Sequence, residues 1–302
     1  MMSKNRRTAR VAAAAVAALA AVTVAGCGPS RHGDMAKPWP TATPSPIAAQ
    51  VTETGGNTSV SVAAMKFRDV TGEVTLPRDS EGAQYGLVPA PGIGFSFRDA
   101  ANDLQLCSLG PAITDGFLTA GHCSAAQRPT PVDLSKDRDA VMSEQVPFGT
   151  VIGAEDNGTS VDSAVIRDVT VPTAATKIAG RYPVAGVLTR EGAFNLPRDT
   201  PICLNGAKSG VVCAPIHTAS GDFVQFDRRG REGDSGAAVF VVGPDDRALL
   251  VGILAGVDST KKYAEATYLE PALQRLNATV IVDRDASTGF AGDQFSARVV
   301  AR

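Results

Sequence analysis

The chain has 302 residues, enough for one large domain or two small ones, and its formal net charge is −2 at pH 7. Hydrophobic residues make up 44% of it, so it can bury a sizeable core. Its 30 glycines and 19 prolines, with few amphipathic helix patterns, favour strands and turns over a helical bundle. No basic cluster follows the N-terminal segment, so nothing in the sequence suggests nucleic-acid binding.

Residues 1–26 are predicted to be an export signal. A basic start precedes an Ala/Val-rich run from Val11 to Val24, which is too short for a comfortable transmembrane helix. The next residues, Val24-Ala25-Gly26-Cys27, resemble the lipobox of bacterial lipoproteins, in which the cysteine is lipidated and becomes the mature N-terminus. We expect an exported protein held at the outer face of the cell membrane by a lipid on Cys27. An ordinary secretory signal, and therefore a secreted protein, is the alternative.

Two segments separate the export signal from the main domain. Residues 27–50 are rich in Pro, Ser and Thr and are predicted to form an extended tether. Residues 51–91 contain two strand-like segments, Val60-Ser61-Val62 and Gly72–Leu76. The second segment as a whole is either a short leader or an N-terminal extension packed on the main domain.

From Gly92 onward, short apolar runs alternate with turns, a pattern typical of a β-sandwich or β-barrel. The main predicted strands are Ile93–Phe97, Gly116–Thr119, Gly149–Ile152, Ala164–Ile166, Ala238–Val242 and Ala248–Leu254. The main domain is accordingly placed at residues 92–285.

One helix is predicted near the end of the chain. Leu269, Leu273 and Leu276 fall on one helical face, and Asn277 is a plausible terminator. The strand-like Thr279–Val282 follows. Residues 286–302 have no periodic pattern and are expected to form a disordered tail.

Two short motifs indicate an activated serine. They are Leu118-Thr119-Ala120-Gly121-His122-Cys123 and Gly233-Asp234-Ser235-Gly236. A serine hydroxyl is a weak nucleophile at neutral pH and needs an imidazole to take its proton, so Ser235 is predicted to be the nucleophile and His122 the base. Each motif alone also has a structural explanation, because the first fits a buried histidine beside a disulfide and the second is good turn chemistry.

The base and the group that orients it can be chosen from few residues. His122 is the natural base because His32 lies beside the export segment and His217 is expected at the surface. A buried carboxylate must orient the imidazole. Asp162 is the choice because it directly precedes an apolar strand, whereas Asp156 lies in an Asp-Asn-Gly turn and is expected to be solvated. The order His, Asp, Ser is that of the chymotrypsin-like double β-barrel.

The glycines on either side of Ser235 allow a tight turn of the backbone. Gly233 and Gly236 lack Cβ atoms, so the chain at Ser235 can make a tight turn that other residues resist. The backbone N–H groups of Gly233 and Ser235 are then the candidates for an oxyanion hole.

Cysteine usage agrees with export. Of five cysteines, Cys27 is assigned to the lipid, and the other four allow three pairings. The local pairs Cys107–Cys123 and Cys203–Cys213 are the simplest, and disulfides are expected outside the cytosol. Because no Cys-x-x-Cys or Cys/His ligand spacing is present, a zinc site is not expected. No other metal and no cofactor is predicted.

From about Gly92 to Asp283 the chain resembles a chymotrypsin-like serine protease of the bacterial branch that contains streptogrisins and α-lytic protease. Four motifs carry the resemblance in the right order: the histidine region Cys107–Cys123, the hairpin Cys203–Cys213, the nucleophile loop Gly233–Gly236, and the final helix and strand Pro271–Val282. The resemblance implies an all-β fold of two antiparallel β-barrels with a short C-terminal helix. It places His122 and Asp162 in the first barrel and Ser235 in the second.

The same resemblance implies a serine endopeptidase that hydrolyses peptides or proteins through an acyl-enzyme intermediate. Separately, we expect the protein to be a monomer. The resemblance also implies that Asp234 is buried and paired with a cation, for which Lys208 and Arg231 are both candidates. Ala255 stands where the family has a serine that shields the catalytic aspartate. The lost hydrogen bond is expected to weaken the site by about 1 kcal/mol without abolishing activity.

Substrate specificity is left open by the sequence. The pocket walls are expected in Arg228–Glu232 and Ala255–Asp258. An acidic residue before the scissile bond would be favoured if Arg228, Arg229 and Arg231 faced the pocket. We expect these three side chains to point to solvent instead. Glu232 would instead favour a basic side chain nearby.

Two other classes of protein share parts of this pattern. A catalytically weak or inactive binding protein of the cell envelope could use the same fold, but the intact triad residues argue against it. An esterase of the α/β-hydrolase type needs a Gly-x-Ser-x-Gly elbow on alternating strands and helices, with the histidine last. Here the histidine comes first and helices are scarce.

Overall fold

A computed structural model of the chain describes residues 61–74, 84–137, 140–141, 144–158, 160–227, 230–257 and 262–302. The predicted export signal, the lipidation residue Cys27 and the tether lie outside the described residues. Within those described ranges, no helix is both long enough and apolar enough to cross a membrane.

The described residues are mostly β-strand. The first nine strands are β1 (Gly94–Arg98), β2 (Leu104–Ser108), β3 (Ala112–Ile113), β4 (Gly116–Thr119), β5 (Thr130–Leu134), β6 (Val146–Asp156), β7 (Asp162–Arg167), β8 (Lys177–Ile178) and β9 (Tyr182–Val187). The others are β10 (Pro201–Gly206), β11 (Gly210–Ala219), β12 (Phe223–Phe226), β13 (Ala238–Val242), β14 (Ala248–Val257), β15 (Ala264–Tyr268), β16 (Val280–Val282) and β17 (Val299–Ala301). Two short helices, α1 (Arg190–Phe194) and α2 (Leu269–Arg275), and two 3₁₀ turns, Val62–Ala64 and Thr173–Thr176, complete the described elements.

The strands form two sheets. The first has the order β17-β16-β3-β4-β7-β6-β5-β1-β2, and its strands enclose a core that includes Phe95, Phe117 and Ile166. The second has the order β13-β10-β11-β12-β15-β14-β9-β8, and the β13–β14 pairing closes six of its strands into a barrel. The predicted all-β architecture of two barrels with a short C-terminal helix is confirmed.

Strand β13 shows how the two halves meet. All five of its residues are buried, because alternate side chains point to opposite faces of a strand and both faces are covered. Val239 and Val241 face the interior of the closed barrel, whereas Phe240 and Val242 join a cluster with Leu118 of the first sheet. The continuous apolar run in the sequence is therefore typical of a strand between two cores.

Residues 61–74 pack on the second barrel. Val62 and Val70 are fully buried. The Val62 N–H donates to Gln294 Oε1 at 2.7 Å, and the Arg68 N–H donates to the Val242 carbonyl at 2.9 Å. The prediction of a strand at Val60–Val62 is wrong for Val62, which begins a 3₁₀ turn.

The C-terminal residues are folded rather than disordered. Helix α2 and strand β16 follow the prediction closely, and Asn277 ends the helix with a positive φ of 46°. Strand β17 then pairs in parallel with β16. Phe295 is buried, and the Ser296 N–H donates to the Val187 carbonyl at 2.9 Å. The expected disordered tail is wrong because these contacts are long-range and leave no periodic pattern in the sequence.

Candidate active site

His122 and Asp162 are brought together by the pairing of strands β4 and β7. His122 lies in the turn that follows β4, and Asp162 is the first residue of β7. The Asp162 carboxylate uses both oxygens: Oδ1 accepts the His122 backbone N–H at 3.0 Å, and Oδ2 lies 2.8 Å from His122 Nδ1. The carboxylate is 9% exposed and the imidazole is 37% exposed. One ring nitrogen is therefore held by a buried acid while the ring still reaches solvent.

The charge around the imidazole favours its protonated form. Burial lowers the pKa of His122, but the hydrogen bond and charge of Asp162, followed by the charge of Asp156, outweigh that effect. The resulting pKa lies above the ordinary histidine value. Contrary to the expectation of a solvated turn residue, Asp156 is half-buried and pairs with Asp162 across β6 and β7. The sequence missed it because only the strand register places it there.

Ser235 occupies a tight turn between the segment at Arg231 and strand β13. The Asp234 N–H donates to the Arg231 carbonyl at 2.9 Å, and the Gly236 N–H donates to the Leu254 carbonyl at 2.8 Å. Gly233 and Gly236 have φ values of 97° and 87°, which glycine adopts without strain. The predicted glycine-dependent turn at Ser235 is confirmed.

The serine turn, residues 233–236, contacts strands β2 and β4, and β4 leads to His122. The Ser108 N–H donates to the Ser235 carbonyl at 2.8 Å. A Cβ on Gly236 would collide with Thr119, three residues before His122. The fold therefore brings the two predicted motifs into contact. Within the described residues, the hydrogen bonds of the His122 side chain go to Asp162 and not to the Ser235 hydroxyl.

Asp234 is fully buried, but its partners differ from the expected cation. Oδ1 accepts the backbone N–H groups of Lys208 at 2.8 Å and Ser209 at 2.9 Å. Oδ2 accepts the Ser209 hydroxyl at 2.6 Å and the Arg231 N–H at 2.9 Å. The Arg231 guanidinium donates elsewhere, to the Lys208 carbonyl at 3.0 Å. Lys208 and Arg231 therefore both contact Asp234, but through their backbone N–H groups rather than their charged side chains. Four short hydrogen bonds can satisfy a carboxylate without a cation.

A cleft of about 200 Å³ opens beside the imidazole. Its described lining consists of His122, Asp156, Gly158, Asp162, Ala255, Gly256, Val257, Glu265 and Thr267. Of the predicted pocket wall Ala255–Asp258, the residues from Ala255 to Val257 line this cleft. Asp258, Arg228 and Arg229 lie outside the described residues. The sequence did not predict Glu265 and Thr267 as cleft residues, because they reach the cleft only through the pairing of β14 with β15.

A second cavity, of about 340 Å³, lies on the Gly233 side of the serine turn. Its described lining consists of Tyr85, Leu104, Gln105, Leu106, Val141, Lys208, Glu232 and Gly233. Glu232 therefore faces this cavity rather than the cleft at His122. Tyr85 belongs to the segment before the predicted domain boundary, so that segment also contributes to the surroundings of the site.

Both predicted disulfides are present. Cys107–Cys123 joins strand β2 to the turn of His122, and Cys203–Cys213 links β10 to β11. Such bonds are typical of exported proteins. His217 is a surface residue, as predicted, and stacks on Tyr263 with ring centroids 3.7 Å apart.

The side chains of His122, Asp156 and Asp162 have ligand atoms within 4.8 Å of one another and include donor types that bind divalent cations. Nδ1 of His122 and Oδ2 of Asp162 are already paired with each other at 2.8 Å. Because these two atoms are bonded to each other, the arrangement fits a carboxylate that orients a histidine better than it fits a metal site, in which both atoms would bind the ion.

Comparison with known proteins gave structural likeness alone. No protein-family model matches the chain, and no curated protein matches it. Among solved structures, it is similar to a Cellulomonas bogoriensis chymotrypsin at 19% identity, covering 63% of this chain and 97% of that one, with a TM-score of 0.46. It is also similar to Thermobifida fusca protease A at 19% identity, covering 64% of this chain and 98% of that one, with a TM-score of 0.45. For a Nocardiopsis protease the identity is 18%, the coverage is 63% of this chain and 97% of that one, and the TM-score is 0.44.

Proposed function

We propose that the protein is a serine endopeptidase with His122, Asp162 and Ser235 as its catalytic triad. The observation that carries the proposal is the 2.8 Å contact between His122 Nδ1 and the buried Asp162 carboxylate, in a fold that packs the Ser235 turn against the strand leading to His122. A histidine held through Nδ1 presents Nε2 to a nucleophile, which is the arrangement that serine activation requires.

The proposed mechanism gives each of these residues one role. Ser235 Oγ attacks the peptide carbonyl carbon while His122 Nε2 takes the hydroxyl proton, and Asp162 stabilises the imidazolium that results. The N–H groups of Gly233 and Ser235 donate to the oxyanion of the tetrahedral intermediate. His122 then gives its proton to the leaving amine, which leaves an acyl-enzyme. Water, deprotonated by the same histidine, releases the acid and restores Ser235. The mechanism requires Ser235 Oγ to come within hydrogen-bond reach of His122 Nε2 in the substrate complex.

The proposed place of action is outside the cytoplasm. The N-terminal sequence, with its basic start, apolar run and lipobox-like Val24–Cys27, supports export and lipidation of Cys27. The two disulfides agree with an oxidising compartment. We therefore place the enzyme at the outer face of the cell membrane, where its substrates are peptides or proteins, and where it acts as a monomer without a cofactor.

The test uses residues 28–302 with both disulfides formed, beside a Ser235→Ala variant. An activated ester such as p-nitrophenyl acetate should give a burst of about one equivalent of nitrophenol, followed by slower turnover. A mixture of synthetic peptides should be cleaved internally, as read by mass spectrometry. The Ser235→Ala variant should do neither. A folded wild-type protein without burst or cleavage would overturn the proposal and favour the envelope binding protein.

A further inference from the structure

Ser108, the last residue of β2, is fully buried, and both its hydroxyl and its N–H donate to the turn at Ser235. Its hydroxyl donates to the Gly233 carbonyl at 2.8 Å and accepts the Ala207 N–H at 2.8 Å. Its N–H donates to the Ser235 carbonyl at 2.8 Å. The same residue therefore contacts both amino acids whose N–H groups are assigned to the oxyanion hole.

The bond to Gly233 matters because of the backbone at that residue. Gly233 has a φ of 97° and no side chain, so its own conformational preferences do not fix the directions of its flanking peptide groups. The Ser108 hydroxyl holds the carbonyl on one side of Gly233. The carboxylate of Asp234 anchors the following residue through four hydrogen bonds. Because the Ser108 N–H also holds the Ser235 carbonyl, the peptide groups on both sides of the one that carries the Ser235 N–H are fixed. The Gly233 N–H is separated from a fixed peptide group only by the backbone rotations of Gly233 itself.

The other side of Ser108 leads toward the histidine. Its carbonyl accepts the Thr119 hydroxyl at 3.2 Å, and Thr119 ends the strand β4 that precedes His122. Ser108 is thus hydrogen-bonded to the nucleophile turn and to the strand of the base. A buried group with this many partners has one favourable orientation, because any rotation of the hydroxyl leaves a buried donor or acceptor unpaired.

We propose that Ser108 is a positioning residue that aims the N–H groups of Gly233 and Ser235 at the tetrahedral oxyanion. This inference rests on the proposed peptidase function. Ser108 does not touch the reacting atoms and acts only through the serine turn. Its loss should therefore affect binding of the tetrahedral state more than binding of the substrate.

The experiment compares Ser108→Ala with Ser96→Ala. Ser96 is equally buried on β1 of the same sheet, and its hydroxyl accepts the Gln145 side chain at 3.0 Å, away from the serine turn. Both variants lose one buried hydroxyl, so a general loss of stability should be similar. Loss of one oxyanion donor lowers kcat by about 10²–10³ in other serine hydrolases, so a misdirected donor should lower it by about 10- to 100-fold.

We expect Ser108→Ala to lose kcat by that factor with KM unchanged, and to bind a peptide boronic acid, which forms a tetrahedral adduct, more weakly by a similar factor. Rates are divided by the active-site concentration from ester burst titration, so unfolded protein does not count. Ser96→Ala should keep its kcat, and Ser108→Thr, which retains the hydroxyl, should recover much of the loss.

Two results would overturn the inference. One is a kcat for Ser108→Ala within about twofold of wild type, and the other is an equal loss in Ser96→Ala. If the wild-type protein itself shows neither burst nor turnover, the proposed peptidase function fails instead, and this inference fails with it.

Discussion

The Ser209 hydroxyl donates a 2.6 Å hydrogen bond to Asp234 Oδ2, and both side chains are buried. With three backbone N–H groups, it gives the carboxylate beside the nucleophile four short hydrogen bonds. Buried carboxylates are costly unless their oxygens are satisfied. The turn at Ser235 is thus stabilised by three backbone N–H groups and one hydroxyl, all bonded to Asp234.

Replacing Ser209 with Ala should destabilise the protein and the turn together. The change leaves one Asp234 oxygen with only the Arg231 N–H, and a missing bond to a buried acceptor costs about 1–3 kcal/mol. We expect a lower free energy of unfolding in urea by that amount and a reduced kcat. Ser287→Ala removes a hydroxyl from the surface bond to the Arg284 carbonyl and should change stability by less than about 0.5 kcal/mol. Equal stability of the two variants would contradict the account of Asp234.

The pH dependence of activity should report the charges around His122. The base must be neutral to accept a proton, and its pKa is raised by Asp162 and then Asp156 despite burial. Activity should therefore fall on the acid side at a pH above the ordinary histidine pKa. Removing a negative charge disfavours the imidazolium, so Asp156→Asn should move this acid limb to lower pH.

The control for that shift is Asp222→Asn, which removes a carboxylate 3.2 Å from Arg190 on the second barrel and changes the net charge equally. Its kcat/KM profile should keep the wild-type acid limb. An Asp156→Asn profile that does not move, or that moves to higher pH, would show that Asp156 does not act on the imidazole.

The segment before the predicted domain boundary should be required for stability. Val62 and Val70 are fully buried, and Gln84 donates through its side chain to the Gly206 carbonyl at 2.7 Å. A chain of residues 88–302 loses these contacts, and the two valines alone correspond to roughly 3 kcal/mol of burial. Its thermal midpoint should fall well below those of residues 28–302 and 61–302, which both keep these contacts, and its activity should be lower. A truncated 88–302 chain that is equally stable and more active would indicate a removable leader.

Substrate preference should follow the charge of the cleft at His122. Asp156 and Glu265 line it, and the described lining contains neither lysine nor arginine. We expect peptide libraries to favour Lys or Arg near the scissile bond, and Glu265→Gln to reduce that preference about fivefold, the equivalent of about 1 kcal/mol. Glu144→Gln, which removes an exposed partner of Lys136, should leave it unchanged. A preference for acidic residues would contradict this and point to the arginines in Arg228–Glu232.

Local patterns in the sequence predicted the local parts of the site. The motifs around His122 and Ser235, the two disulfides and helix α2 each depend on residues close in the chain, and the structure contains the disulfides, the helix and the glycine turn. Asp162 could be chosen because a carboxylate at the start of an apolar strand stands at the edge of a core.

Features that depend on strand register were not predictable. Asp156 approaches His122 only because β6 pairs with β7 so that it faces Asp162, and Glu265 reaches the cleft through the β14–β15 pairing. Ser209 lies 25 residues from Asp234, and its hydroxyl replaces the expected cation without any motif that signals it. Phe295 packs on the second barrel for similar long-range reasons.

The most direct test of the peptidase account is labelling by a fluorophosphonate probe. Folded residues 28–302, Ser235→Ala and Asp162→Asn are treated at equal concentration, and the modified residue is located by mass spectrometry. We predict one adduct on Ser235, none in Ser235→Ala, and labelling slowed by several orders of magnitude in Asp162→Asn, where His122 loses its orienting charge. No adduct in a folded wild-type protein, or an adduct that persists in Ser235→Ala, would contradict the assignment of Ser235 as an activated nucleophile.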